Sequence, residues 1–213
     1  ENIYTEYEIL DLPSLFNKET ISTKNNVNLI IFDKNGSEIL RNKIEIESNK
    51  RTSLKINSFL NNIDNDYGTF SIFHEKNPEN IKNLGSFISD RGYVKYFINK
   101  LDIFKYVHGN LDAVSFDGKF TKNLGSNSFL KRNYNFQFKI NKNTYYKFYV
   151  VNFTKKKQSF VLRSILNNKI IKKINLNPKG SGVLDYYNQD KEDMLSIKSN
   201  LVMSRPLVSI EKN

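Results

Sequence analysis

Lys43 to Ile56 reads KIEIESNKRTSLKI, and Lys173 to Tyr186 reads KINLNPKGSGVLDY. The two segments align without gaps, and each has a run of alternating apolar and polar residues on either side of a polar turn. Alternation with a period of two is typical of a half-buried β-strand. The pattern therefore predicts a strand, a turn and a strand in both segments.

The alignment also matches apolar positions with one another: Ile44 with Ile174, Ile46 with Leu176, and Leu54 with Leu184. A duplicated unit within the chain would explain these matches. Short matches also arise by chance in a chain rich in Asn, Lys and Ile, so the sequence leaves both explanations open.

The same alternation recurs between short breaks rich in Asn, Gly, Lys and Pro. It is clearest in Tyr134 to Ile140, YNFQFKI, and strands are also predicted at Ile3 to Leu10 and Glu38 to Glu47. Asn57 to Asp64 is the best helix candidate. We therefore expect an all-β, antiparallel β-sandwich fold, Ig-like or jelly-roll-like, in two halves, 1–118 and 119–213, which a duplication would make related.

Composition excludes several classes of protein. The chain has no cysteine, which rules out disulfides, thiolate metal sites and cysteine nucleophiles. No run approaches the roughly 18 apolar residues of a membrane-spanning helix. The chain starts at Glu1 rather than Met, and we expect a trimmed N terminus and a secreted or extracytoplasmic location. The sequence leaves the oligomeric state open.

Charge is distributed unevenly along the chain. Gly118 to Leu184 contains fifteen Lys and Arg and no Asp or Glu, whereas the whole chain has a net charge of +11 and the remaining residues sum to −4. The two portions therefore differ in sign. A basic surface of this kind is typical of proteins that bind an anionic polymer, such as an acidic polysaccharide, nucleic acid or an anionic membrane face.

A meander is the commonest connection for consecutive strands, and it would alternate the turns after Asn133 between two ends of a sheet. One end would gather Lys155, Lys156, Lys157 and Lys179. The other end would gather Lys139, Lys142, Lys147 and Lys169. Other interpretations stay open, because lysines also form solvated surfaces, blunt edge strands or meet an acidic protein partner.

Catalytic signatures are scarce. No P-loop, dinucleotide glycine pattern, GxSxG or HExxH is present, and we predict no cofactor. Two histidines, His74 and His108, are too few for an all-histidine metal site, and no metal is predicted. We expect a non-catalytic binding or adhesion module. The alternatives are a β-sandwich enzyme acting on a glycan, with His108 and Arg91 as candidate catalytic residues, and a structural subunit of a protein assembly.

Overall fold

A computed structural model describes residues 3–11, 24–48, 50–60, 67–75, 88–90, 92–98, 102–109, 113–189, 192–202 and 206–212. These residues form 17 β-strands and one short 3-10 turn, Ile56–Leu60. The strands pair into antiparallel sheets, so the predicted all-β, antiparallel class is confirmed. Within the described ranges, no helix has the length and apolar character needed to cross a membrane.

The chain forms two compact units. Unit 1 comprises Glu1–Ile31, Glu38–Asp66 and Phe70–Lys122. Unit 2 comprises Phe32–Ser37, Tyr67–Thr69 and Asn123–Asn213. The division at residue 118 stays a prediction, and each unit is described by itself.

Eight strands form two sheets in unit 1: β1 (Ile3–Leu10), β2 (Lys24–Phe32), β3 (Glu38–Glu47), β4 (Arg51–Lys55), β5 (Thr69–His74), β6 (Ile88–Ser89), β7 (Tyr93–Ile98) and β8 (Ile103–His108). The sheet orders are β4-β1-β7-β8 and β3-β2-β5-β6. One cluster of buried side chains draws on both sheets, including Ile9 of β1 and Leu29 of β2. Two sheets that cover each other's apolar faces in this way are sandwich-like.

Two short strands, β9 (Val114–Phe116) and β10 (Thr121–Asn123), form a separate two-stranded sheet. The remaining strands belong to unit 2: β11 (Asn127–Asn135), β12 (Thr144–Val151), β13 (Gln158–Ser164), β14 (Ile170–Leu176), β15 (Ser181–Asn188), β16 (Leu195–Leu201) and β17 (Leu207–Lys212). Their sheet orders are β11-β16-β13-β14 and β15-β12-β17. Phe148, Phe160 and Ile197 bring both sheets into one buried cluster.

The predicted strand at Tyr134 to Ile140 is partly wrong. Strand β11 ends at Asn135, and the chain pairs again only at an isolated bridge between Ile140 and Asp193. Phe136 and Phe138 nevertheless pack against the buried cluster of unit 2, and Ile140 is fully buried. Alternation therefore predicted which side chains are buried, but not the backbone pairing. Of the helix candidate, 57–60 lie in the 3-10 turn and 61–64 lie outside the described residues.

The expected meander after Asn133 is also wrong. β12 pairs with β15 and β17, whereas β13 pairs with β14 and β16 in the other sheet. Four of the five connections from β12 to β17 cross between the two sheets, whose apolar faces pack against each other in one buried cluster.

Six strands of unit 2 have counterparts in unit 1, in the same order within the sheets. The arrangement β15-β12-β17 corresponds to β4-β1-β7, and β14-β13-β16 corresponds to β3-β2-β5. The two aligned segments of sequence, 43–56 and 173–186, contain the equivalent connections from β3 to β4 and from β14 to β15.

The strand pairing also defines equivalent positions in the two units. In unit 1, Leu54 and Val94 pair with Tyr7 of β1 from either side. In unit 2, Leu184 and Val208 pair with Phe148 of β12 in the same way. The shared strand order supports the duplication hypothesis, because the two aligned segments of sequence fall on equivalent strands.

Candidate functional site

Three loops that carry lysines meet at one end of unit 2. We call their five lysines the basic end: Lys155, Lys156 and Lys157 between β12 and β13, Lys179 between β14 and β15, and Lys34 in the turn after β2.

Asn152, which is fully buried just after β12, joins two of these loops. Its side-chain Nδ2 lies 2.9 Å from the O of Lys156 and 3.0 Å from the carbonyl oxygens of both Leu176 and Asn177. Its backbone O accepts a 2.7 Å hydrogen bond from the N of Lys179. One buried amide therefore holds both loops in place.

Further buried polar side chains fix the first loop. The N of Thr154 donates to Asn152 Oδ1 at 3.0 Å, and Asn123 Nδ2 donates to the O of Thr154 at 2.6 Å. Gln158 Nε2 donates to Thr154 Oγ1 at 3.2 Å. All four residues are buried. Because buried polar groups are costly to leave unpaired, this network resists rearrangement of the loop.

The third loop packs against the second. The N of Ser181 donates to the O of Lys34 at 3.0 Å. Gly36 has a φ of 89°, and a Cβ atom there would lie 2.1 Å from the O of Pro178. Only glycine fits this contact, because it tolerates positive φ and has no Cβ atom.

Four of the five lysines are exposed: Lys34, Lys155, Lys156 and Lys157. Among the described residues, none of these four forms an ion pair with a carboxylate. Lys179 is half-buried, and its Nζ lies 5.0 Å from the centre of the Phe32 ring. Positive charge therefore accumulates at this end of unit 2.

Asp33 is the one carboxylate that the structure describes in these three loops. Its Oδ1 accepts hydrogen bonds from the N of Asn35 at 2.9 Å and the N of Ser37 at 2.8 Å. The carboxylate therefore shapes its own turn, as Asp commonly does at turns.

The other four predicted lysines do not join the basic end. Lys139 pairs with Glu192 at 3.0 Å, and Lys147 pairs with Glu211 at 3.1 Å. The remaining two, Lys142 and Lys169, are exposed and precede β12 and β14, at the ends of these strands opposite to the basic end. Lys34 was not predicted, since it is more than a hundred residues away in sequence. The only local signal near it was the turn composition of Asn35 and Gly36.

The catalytic candidates lie elsewhere. His108 is exposed at the end of β8, where its Nδ1 lies 2.8 Å from the O of Gly109 and its ring meets the Tyr93 ring edge-on at 5.2 Å. Arg91 lies outside the described residues. The predicted site at these two residues stays a prediction.

The outward face of the β4-β1-β7-β8 sheet carries exposed aromatic side chains: Tyr4, Tyr93, Phe104 and Tyr106. The strand register places them on the same face as His108. Glu6 pairs with Lys95 at 3.1 Å and Glu8 pairs with Arg51 at 3.4 Å, and Lys55 adds one further positive charge on this face. The face therefore presents rings with little net charge.

Sequence patterns did not predict a buried polar network in unit 1. Tyr7 donates to Asp90 Oδ1 at 2.5 Å, and His74 Nε2 lies 2.7 Å from Asp90 Oδ2. Burial, followed by the Asp90 charge, raises the pKa of Tyr7 far above its usual value. All three side chains are buried, so the network belongs to the interior of unit 1. In the described part of the chain, no group of three His, Cys, Asp or Glu residues is arranged to hold a metal ion.

No protein-family model, curated protein or solved structure matches this chain. A fold alone does not determine a function, so the chemistry of the sites described above is what indicates one.

Proposed function

We propose that this protein is a non-catalytic binding module whose basic unit 2 contacts an anionic polymer. One observation carries this proposal: buried hydrogen bonds hold three loops together, and four exposed lysines on these loops form no ion pair with a described carboxylate. Residues 123–213 carry seventeen Lys and Arg and five Asp and Glu, so the surroundings add to the positive potential.

The rigidity of the loops supports binding. Association loses free energy when loops must be ordered, and loops that are already fixed by Asn152 and Thr154 avoid most of this cost. The charged groups are lysines, which act as point charges and do not require the planar, two-point geometry of arginine. The basic end therefore suits closely spaced anionic groups along a polymer, without reading a particular sequence.

The test compares two triple variants of the full chain that lose equal charge. The first is Lys155→Ala, Lys156→Ala and Lys157→Ala. The control is Lys131→Ala, Lys142→Ala and Lys169→Ala, at exposed positions outside the basic end. Binding to heparin, single-stranded DNA and vesicles with an anionic lipid is titrated at several salt concentrations.

We expect the first variant to lose about tenfold or more in affinity for at least one of these polymers. In this variant the slope of log Kd against the logarithm of the salt concentration should fall by roughly two to three, because each lysine that contacts the polymer releases counterions. The control should lose about threefold or less. Equal losses in the two variants, or no binding to any polymer, would contradict the proposal. The preferred polymer identifies the ligand class.

A second candidate function is contact with an uncharged glycan at the aromatic face of unit 1. The exposed rings favour this function, because large exposed apolar patches mark interaction sites. The ion pairs of Glu6 with Lys95 and of Glu8 with Arg51 leave little net charge beside the rings. Tyr93→Ala should then reduce retardation in gels that contain soluble neutral polysaccharides, whereas Tyr187→Ala, at a partly exposed ring in unit 2, should not. Equal mobility of both variants and the wild type would argue against this function.

A further inference from the structure

Strand β17 lies at the edge of its sheet, whereas its counterpart β7 does not. In unit 1, β8 continues the β4-β1-β7 arrangement. In unit 2, the order ends at β17, and no strand in the described part of the chain pairs with its outer side. An edge strand presents unpaired backbone N–H and C=O groups, which are a template for another strand.

The side chains near β17 indicate what is missing. In unit 1, Val94 has Val107 of β8 opposite it. Its counterpart Val208 instead lines an open cleft of about 500 Å³, together with Phe136, Phe138 and Pro206. The cleft is therefore mostly apolar, and it lies beside the edge where a further strand would sit.

Ile210 provides a second observation at the same edge. It pairs with Tyr146, which is fully buried, so Ile210 belongs to the core-facing row of β17. It is nevertheless 50% exposed. Its counterpart Tyr96 in unit 1 has Lys105 of β8 opposite it and is only partly exposed. A core-facing isoleucine at an uncovered edge is what a sandwich with one strand missing leaves exposed.

We propose that the edge of β17 accepts the edge of β8 from a second copy of this chain, by addition of one strand to a sheet. β8 is the strand that occupies the equivalent place in unit 1, next to β7. It also lies at the edge of its own sheet, and five of its six residues are exposed. Ile103 and Val107 supply apolar side chains on the face that corresponds to the core-facing row, and Lys105 lies between them on the same face.

Charge decides which edges pair. Residues 123–213 carry seventeen basic and five acidic side chains, whereas residues 1–122 carry sixteen and seventeen. Symmetric pairing of β17 with β17 would bring two strongly basic units together. Pairing of β17 with β8 brings a basic unit to a nearly neutral one. Each copy then has one acceptor edge and one donor edge, and such head-to-tail contacts form rings or open chains.

This proposal is independent of polymer binding at the basic end, but it has a consequence for it. A ring or an open chain repeats the basic end once per copy, and repeated sites on one assembly bind a polymer with higher avidity than a single site.

The experiment measures the mass of the full chain by sedimentation from micromolar to millimolar concentration. We expect the weight-average mass of the wild type to rise past that of a dimer. Ile210→Lys should keep the chain monomeric, because at the equivalent register the new lysine would lie opposite Lys105 of the added strand, and like charges directly opposite each other destabilise a strand pair. The matched control is Ile170→Lys at the edge strand β14, which is 59% exposed and should assemble like the wild type.

A mixing experiment tests the direction of pairing. Ile103→Lys damages the donor edge and should also give monomers. An equimolar mixture of Ile103→Lys and Ile210→Lys retains one intact edge of each kind, so it should form dimers and nothing larger. A wild type that stays monomeric overturns the proposal. Dimers of Ile103→Lys alone also overturn it, because they would indicate β17 paired with β17. Circular dichroism of each variant verifies that the sheets are retained.

Discussion

Unit 1 and unit 2 have the same six-strand arrangement, yet they differ in the polar groups that they carry at equivalent buried positions. Tyr7 and Phe148 occupy equivalent positions between equivalent strands. Phe148 is surrounded by other rings, with Phe136 at 4.7 Å. Tyr7 adds a hydroxyl group that needs a partner, and Asp90 provides it. The apolar framework therefore defines the fold, and single polar substitutions within it create local networks.

The ends of β1 and β12 show the same contrast. Asp11 and Asn152 follow these strands at equivalent positions, and both are buried. The Asp11 carboxylate accepts a hydrogen bond from Asn25, whereas the Asn152 amide donates to backbone carbonyl oxygens. Asn152 also accepts a hydrogen bond, from the N of Thr154, but only its amide can donate. Exchanging the two residue types tests this difference directly.

The largest effect is expected for Asn152→Asp. The new carboxylate cannot donate to the O of Lys156, Leu176 or Asn177, and it would be buried among these oxygens. We expect a loss of about 3–5 kcal/mol in the unfolding free energy of unit 2. Hydrogen exchange with mass spectrometry can assign the loss to unit 2. Asp11→Asn is the control and should cost about 1 kcal/mol, since an amide oxygen still accepts from Asn25. Equal losses would mean that the donor pattern is unimportant.

Tyr7→Phe converts this position to the residue type found in unit 2. At pH 7 we expect a cost of about 2 kcal/mol, because Asp90 loses a buried hydrogen-bond donor. Burial, followed by Asp90, raises the pKa of Tyr7, so the wild type keeps this proton when folded but loses it when unfolded above about pH 10. The stability of the wild type therefore falls by up to about 1.4 kcal/mol per pH unit above that value.

The variant lacks this titration. The difference in unfolding free energy between Tyr7→Phe and the wild type should therefore narrow as the pH rises from 9 to 11. Urea unfolding followed by circular dichroism measures it. A constant difference across this range would show that Tyr7 ionises as readily in the folded as in the unfolded chain.

Strand β8, which has no counterpart among the described residues of unit 2, can be tested by a matched pair of truncations. Val94 has Val107 of β8 opposite it and is buried, whereas Val208 lines the open cleft. We expect Val94→Ala to cost about 1.5–2 kcal/mol and Val208→Ala less than about 1 kcal/mol in dilute solution. Hydrogen exchange measures the local unfolding free energy of each unit, so it compares the costs of the two substitutions. If Val208→Ala costs as much as Val94→Ala, the β17 edge is already covered.

The smallest effect is expected on the outward face of unit 1. A hydrogen bond from Ser53, together with Lys95, lowers the pKa of Glu6. A lowered pKa stabilises the folded state at pH values above the usual pKa of Glu. This contribution is lost as the pH falls through the pKa of Glu6 in the folded state. Glu6→Gln should therefore cost less than about 1 kcal/mol at pH 7 and nothing at pH 2. Thermal unfolding at both values measures the cost. A cost that persists at pH 2 would indicate packing rather than charge.

Local patterns predicted much of the strand content. Ile3–Leu10 and Glu38–Glu47 begin and end where alternation predicted, because a sheet with one buried face requires a period of two. β11 was missed over 127–133, because it is an edge strand with mostly exposed side chains and therefore has no apolar period. The basic window was visible as composition, but composition does not say which lysines are neighbours.

Side-chain periodicity along the chain thus established that the protein is all-β, and the missing carboxylates between Asp117 and Asp185 established that one portion is basic. Strand pairing established the rest. Folding brought Lys34 to the turn beside Lys179, placed Asp90 against His74, and left β17 without a strand from the described residues on its outer side. These are contacts between residues far apart in sequence, and backbone hydrogen bonds between strands carry little side-chain information, so no local pattern encodes them.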